Sequence, residues 1–151
     1  MSGSQILERR ITLRLIAYWE KMRKGKAMPT EDDIDPDYLK DLWDYCFLIH
    51  VKDLDKPDYN YTYLGDEIKK AYQGELSGSE CGEVASPNAK ELAVSYEKVI
   101  KNCTPLLDEG EFVNMHNDVV KYRQCLLPLG ENGKVDAIFG GMRFKIFPKH
   151  G

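Results

Sequence analysis

The stretch VVKYRQCLLPLGENGKVDAIFGGMRFKIF, residues 119–147, decides the fold. Two apolar, β-branched runs flank Glu131-Asn132-Gly133. Asn and Gly tolerate positive φ, so the spacing predicts a tight hairpin there. The runs predict strands from Val119 to Leu129 and from Val135 to Phe147. The pair Gly140-Gly141 inside the second run predicts a bend or bulge.

Upstream of the hairpin, Thr104 to Val113 predicts a weaker strand interrupted at Gly110. Before it, Ser86 caps and Pro87 opens a helix running to about Asn102. Its apolar stripe is Ala89, Leu92, Tyr96, Val99 and Ile100. Residues 76–85 read as irregular. Asp66 to Gln73 predicts a short helix bounded by Gly65 and Gly74. Tyr45 to Val51 and Tyr59 to Leu64 read as two strands around a turn containing Pro57. Glu31 to Leu42 predicts a short helix with Pro36 in its first turn and Asp35 as cap. The chain opens with a helix from about Ser4 to Arg23. Leu7, Ile11, Leu15, Tyr18 and Met22 share one face, flanked by Trp19. Ile6, Leu13 and Ile16 form a second, smaller apolar patch on the other side.

The resulting order predicts an α+β fold. Five antiparallel strands form one sheet, helices are inserted between strands 2 and 3, and a helix leads at the N-terminus. We expect one compact unit, with residues 1–30 as amphipathic helix and loop and 31–151 as the main domain.

Composition limits the function classes. The chain has 151 residues, 21 Lys plus Arg against 25 Asp plus Glu, and net charge −4. A protein built to cover nucleic-acid phosphate needs a cationic surplus, so nucleic acid is not an expected partner. No apolar run reaches the length of a membrane span, and Met1 to Gln5 has no signal-peptide character. The expected compartment is the cytoplasm. There Cys46, Cys81, Cys103 and Cys125, with no paired spacing, are expected to be free thiols. Charge is segregated: Gln5–Lys26 holds seven basic and two acidic residues, while Glu31–Asp58 holds ten acidic and three basic. The two segments are suited to attract each other or to meet a partner.

The residues also carry a resemblance. It rests on Tyr18-Trp19, Met28-Pro29, Asp33-Ile34-Asp35-Pro36, Tyr61-Thr62-Tyr63-Leu64-Gly65, Gly74-Glu75-Leu76-Ser77-Gly78, Leu126-Leu127-Pro128-Leu129 and Val135-Asp136-Ala137-Ile138. In this order they cover most of the chain, which resembles the small single-domain PAS-like proteins of alphaproteobacteria. The resemblance implies a five-stranded antiparallel sheet, helices on one face and a ligand cavity between them. It implies a sensory or protein-interaction role rather than catalysis.

Chemical motifs are sparse. His50, His116 and His150 have no metal-ligand spacing, so no metal site is expected. No His lies in the helices over the sheet, which disfavours haem. Gly78-Ser79-Glu80-Cys81 is similar to the reactive-cysteine segment of flavin light sensors. Glu80 and Gly82 stand where those sensors carry Asn and Arg, which disfavours flavin. The cofactor is left unknown. There is no phosphate loop, no Gly-x-Ser-x-Gly and no acid/base couple, so no catalytic residue is assigned. The expected ligand-lining residues are Leu48, Ile68, Tyr72, Leu76, Leu92, Tyr96, Tyr122, Leu126, Phe139 and Met142. Alternation leaves open which strand residues face inward. The expected interface is Ile6, Arg10, Leu13 and Ile16. It predicts a homodimer and a signalling protein partner. The competing readings are a small enzyme, with His116 and Asp118 as its ionisable pair, and a structural adaptor with a filled core.

Overall fold

A computed structural model describes residues 3–51, 59–73, 89–114 and 116–148. Helix α1 spans Gly3–Met22, strand β1 Cys46–Val51, strand β2 Tyr59–Leu64 and helix α2 Asp66–Gln73. Helix α3 spans Ala89–Asn102, followed by β3 Leu106–Val113, β4 Val119–Glu131 and β5 Lys134–Phe147. The strands form one sheet in the order β2-β1-β5-β4-β3, and every pairing is antiparallel. Among the described residues, α2 and α3 lie in the chain between β2 at one sheet edge and β3 at the other.

The hairpin forms where its turn chemistry puts it. Glu131 pairs with Lys134, and Asn132 and Gly133 have φ of 54° and 75°. Two left-handed residues match the twist of the flanking strands.

Gly140 and Gly141 make no bend or bulge: β5 runs through both in unbroken register with β1 and β4. Close approach explains them instead. A Cβ on Gly141 would collide with Leu15, and one on Gly140 with the Phe47 ring. Gly110 likewise leaves β3 continuous, because the Tyr122 side chain lies over it.

The segment from Pro36 to Leu42 is not an α-helix. A single 3-10 turn covers Glu31–Asp33, and bonds such as Leu39 N–H to Pro36 C=O at 3.2 Å and Leu42 N–H to Leu39 C=O at 2.8 Å reach three residues back. Spacing of three superimposes Leu39 and Leu42, both buried, on one side. Asp35 still caps, accepting from the Asp37 N–H at 3.0 Å.

One core joins the layers. Ile11, Leu15, Tyr18 and Trp19 of α1 belong to the same buried cluster as Phe47, Leu127 and Ile138 of the sheet. The Gly141 contact places α1 on the side of the sheet to which Gly141 points. The register puts Cys46 and Cys125, the two partners of Gly141, on that side too. The opposite side receives α3, where Tyr96 and Val99 are buried three residues apart.

The basic helix and the acidic segment do attract each other. Arg14 forms a two-pronged ion pair with Asp41, and Lys26 reaches Asp33 at 3.4 Å. Tyr18 ties the same pieces: its hydroxyl donates to the Asp33 carbonyl at 3.2 Å and accepts from the Asp35 N–H at 2.7 Å. No helix among the described residues is long and apolar enough to cross a membrane.

Candidate functional site

The site is built from the α3-facing side of the sheet. Gln124 and Asp108 fix which side that is. Gln124, 1% exposed, donates through Nε2 to Asp108 Oδ2 at 3.0 Å. Ser95 of α3 donates to the same oxygen at 3.2 Å. One carboxylate thus holds a helix to two strands, and the buried amide has a charged partner. By strand alternation, Tyr122, Leu126 and Met142 share the side of Gln124.

This register divides the expected lining residues. Tyr122, Leu126 and Met142 come together, with Tyr96 of α3 buried on that side and Ile68 of α2 fully buried. Leu48 and Phe139 face away: they pair with each other and share the side of Gly141. There Phe139 stacks on Trp43 at 5.9 Å, and Trp43 stacks on Tyr63 at 4.6 Å. Phe47 and Ile49, both buried, take the inward places on β1 instead. The side chains of Tyr72 and Leu92, and all of Leu76, lie outside the described residues.

Further polar contacts lie beside these residues. Asn114, 4% exposed, donates through Nδ2 to the Ala71 carbonyl at 3.2 Å, joining the end of α2 to the turn after β3. Its Oδ1 accepts from the backbone N–H groups of His116 and Asp118 at 2.9 and 3.0 Å. Tyr122 packs against Phe112 at 5.8 Å. Sequence reasoning missed Gln124, Asp108 and Asn114. Polar residues in and beside strands read as a solvated face, and only the register shows them inside.

The two histidines among the described residues, His50 and His116, lie apart, and His150 lies outside the described residues. His50 pairs with Glu31 Oε2 at 2.8 Å. His116 is exposed in a turn. No cluster of His, Cys, Asp and Glu suited to a metal ion occurs among the described residues. Cys46 and Cys125 are free, and burial raises both thiols, Cys125 to about 12. Burial thus disfavours the thiolate form of both. Cys81 and Glu80 lie outside the described residues.

Of the expected interface residues, Leu13 is 63% exposed on α1. Ile16 is half-buried and packs against the core. The side chains of Ile6 and Arg10 lie outside the described residues.

The model of a family described as "PAS domain" matches residues 7–143. The chain belongs to the PAS domain family. Solved structures share the likeness. A LOV protein of Rhodobacter sphaeroides is 13% identical, with 78% of this chain and 71% of that one covered at a TM-score of 0.44. The PAS domain of a protein from Colwellia psychrerythraea is 14% identical, with 76% and 98% covered at a TM-score of 0.44. No curated protein matches the chain. The PAS fold accounts for the strand order and for helices inserted between β2 and β3. PAS domains are generally sensory.

Proposed function

We propose that this PAS domain is a non-catalytic regulatory sensor that acts by protein contact, with α1 as the contact element. The observation that carries the reading is Leu13. A large apolar side chain 63% exposed stands on a helix whose other face, at Ile11, Leu15 and Trp19, is buried in the core. Together with partly buried Ile16 and, by helical spacing, Ile6, it makes an apolar patch suited to a second contact. The occupant is a second copy of the chain, giving a homodimer through Leu13 with Ile6, Arg10 and Ile16. Residues 1–30 act as the coupling segment and residues 31–151 as the sensing unit.

The input is a small molecule held between α2, α3 and the sheet, against Tyr96, Tyr122, Leu126 and Met142. Aromatic and aliphatic side chains beside a few fixed polar groups are the usual lining of such sites. Ligand binding shifts the packing of the helices only if one arrangement binds better than the other. The setting is the cytoplasm, and the chain is of the kind of the small PAS-like proteins of alphaproteobacteria. Haem and flavin are not the expected ligands, and nucleic acid is not the expected partner.

Sedimentation velocity over a concentration series tests the contact helix. Wild type sediments as a dimer, and Leu13→Glu moves the equilibrium to monomer while its circular dichroism stays that of wild type. A wild-type monomer at every concentration, or a variant that dimerises as well as wild type, overturns the reading.

A further inference from the structure

The α1-facing side of the sheet carries an unusual charge arrangement toward the ends of β3, β4 and β5. In the register of β4 and β5, Lys121 stands directly opposite Lys145, and Arg123 directly opposite Arg143. All four share the side to which Gly141 points, since each lies an even number of residues from Gly141 or from its partner Cys125. Like charges directly opposite across a strand pair are destabilising. Two such pairs side by side form a block of four cations.

The neighbours only partly neutralise it. Glu109 and Glu111 on β3 stand opposite Arg123 and Lys121. Arg123 Nε reaches Glu109 at 3.3 Å, and it alone of the four cations has an ion pair among the described residues. Lys121 lies over the Phe147 ring at 5.3 Å, and Arg143 over the Tyr45 ring at 4.8 Å. Arg143 Nε is buried without a hydrogen-bond partner. Four cations against two carboxylates leave a local surplus of two positive charges in a chain of net charge −4. Around the block, Leu107, Val113 and Phe147 are 63%, 52% and 45% exposed. A groove of about 510 Å³ runs along Lys121, Arg123 and Lys145, with Glu109, Glu111 and Phe147 and, from the other face, Gly110 and Tyr122 in its lining; Arg143 lies outside it.

We infer that this groove is a docking site for an acidic, aromatic-containing segment of a partner protein. Carboxylates of the segment would sit between Lys121 and Lys145 and beside Arg123, relieving the repulsion in the block. An apolar side chain would cover Phe147. Other occupants fit less well. A nucleic-acid backbone or an anionic lipid surface would meet Glu109 and Glu111 at the same place. A second copy in a two-fold contact centred on β4 would bring Lys121 and Arg123 against their own equivalents. The surface is separate from Leu13, so the inference stands whether or not α1 mediates pairing.

Fluorescence anisotropy of a short fluorescein-labelled peptide of alternating Asp and Phe tests it, using the full chain. Wild type binds the peptide, and a peptide with Lys in place of Asp does not bind. Raising salt from about 50 to about 500 mM weakens the complex, because exposed charges are screened. Lys121→Glu/Lys145→Glu weakens it at least about tenfold, the scale of losing two close charge contacts. Lys121→Ala/Lys145→Ala acts in the same direction. It also leaves the melting temperature equal or higher, since it removes a like-charge pair. Equal binding by wild type and both variants overturns the inference. So does tighter binding of single-stranded RNA or phosphatidylserine vesicles that the same substitutions abolish, or a self-association that they abolish.

Discussion

The indole Nε1 of Trp19 donates a 2.8 Å hydrogen bond to the carbonyl oxygen of Pro128, 109 residues away. Both residues are buried. The bond ties α1 to β4 near its hairpin end. Any message that passes from the sheet to α1 therefore meets a rigid joint at Trp19.

Trp19→Phe keeps most of the ring's apolar area but leaves the Pro128 carbonyl without its partner. An unsatisfied buried acceptor costs about 1–3 kcal/mol. We expect chemical denaturation to show a loss of that size. A change below about 0.5 kcal/mol would mean the bond contributes nothing at this joint.

Gly141→Ala places a methyl against Leu15 and, at 3.3 Å, Ile11. Overpacking of this kind costs about 1–3 kcal/mol. Leu15→Ala alone is also destabilising, because it opens a cavity. In the double variant the new methyl moves into that cavity. We therefore expect the combined loss to be smaller than the sum of the two, as measured by a double-mutant cycle. Strict additivity would show that α1 does not pack on Gly141.

Acid should loosen the joint between α1 and the acidic segment. The Thr30 backbone N–H, above all, holds the Asp33 carboxyl below its usual range, and the Arg14 guanidinium does the same for Asp41. A depressed folded pKa gives stability that is present above the ordinary value of 3.8 and is lost as pH falls through the folded value. Asp136 opposes this: burial first, then the charge of Glu31, raises its carboxyl, so its ionisation costs stability as pH rises. Denaturation between about pH 5 and pH 2 should show stability falling with acid in wild type, and less steeply in Asp33→Asn. Equal slopes would remove Asp33 from the account. Asp41 is well exposed and its share is small.

Much of the fold is legible along the chain because its signals are local. Asn132-Gly133 marks the hairpin, and Gly65 marks the start of α2, where its carbonyl accepts from Ile68 and Lys69 at 3.1 Å. The site is less legible because it depends on register. Leu48 and Phe139 have the right composition for a pocket, and only their pairing with each other beside Gly141 turns them away from α3. Gly140-Gly141 looks like a weak point in a strand until Phe47 and Leu15 are seen pressing on it. The bridge from Ser95 through Asp108 to Gln124 and the Trp19–Pro128 bond join residues far apart in the chain, and no local pattern announces them. The opposed pairs Lys121–Lys145 and Arg123–Arg143 are likewise invisible until two strands are aligned.

The central claim is that a small molecule is sensed between α3 and the sheet. Native mass spectrometry of freshly purified protein tests it most directly. We expect a bound small molecule of one defined mass, released on denaturation and depleted in Tyr96→Ala. Protein that carries no added mass when purified from its own host would contradict the claim and leave the inner face as plain core.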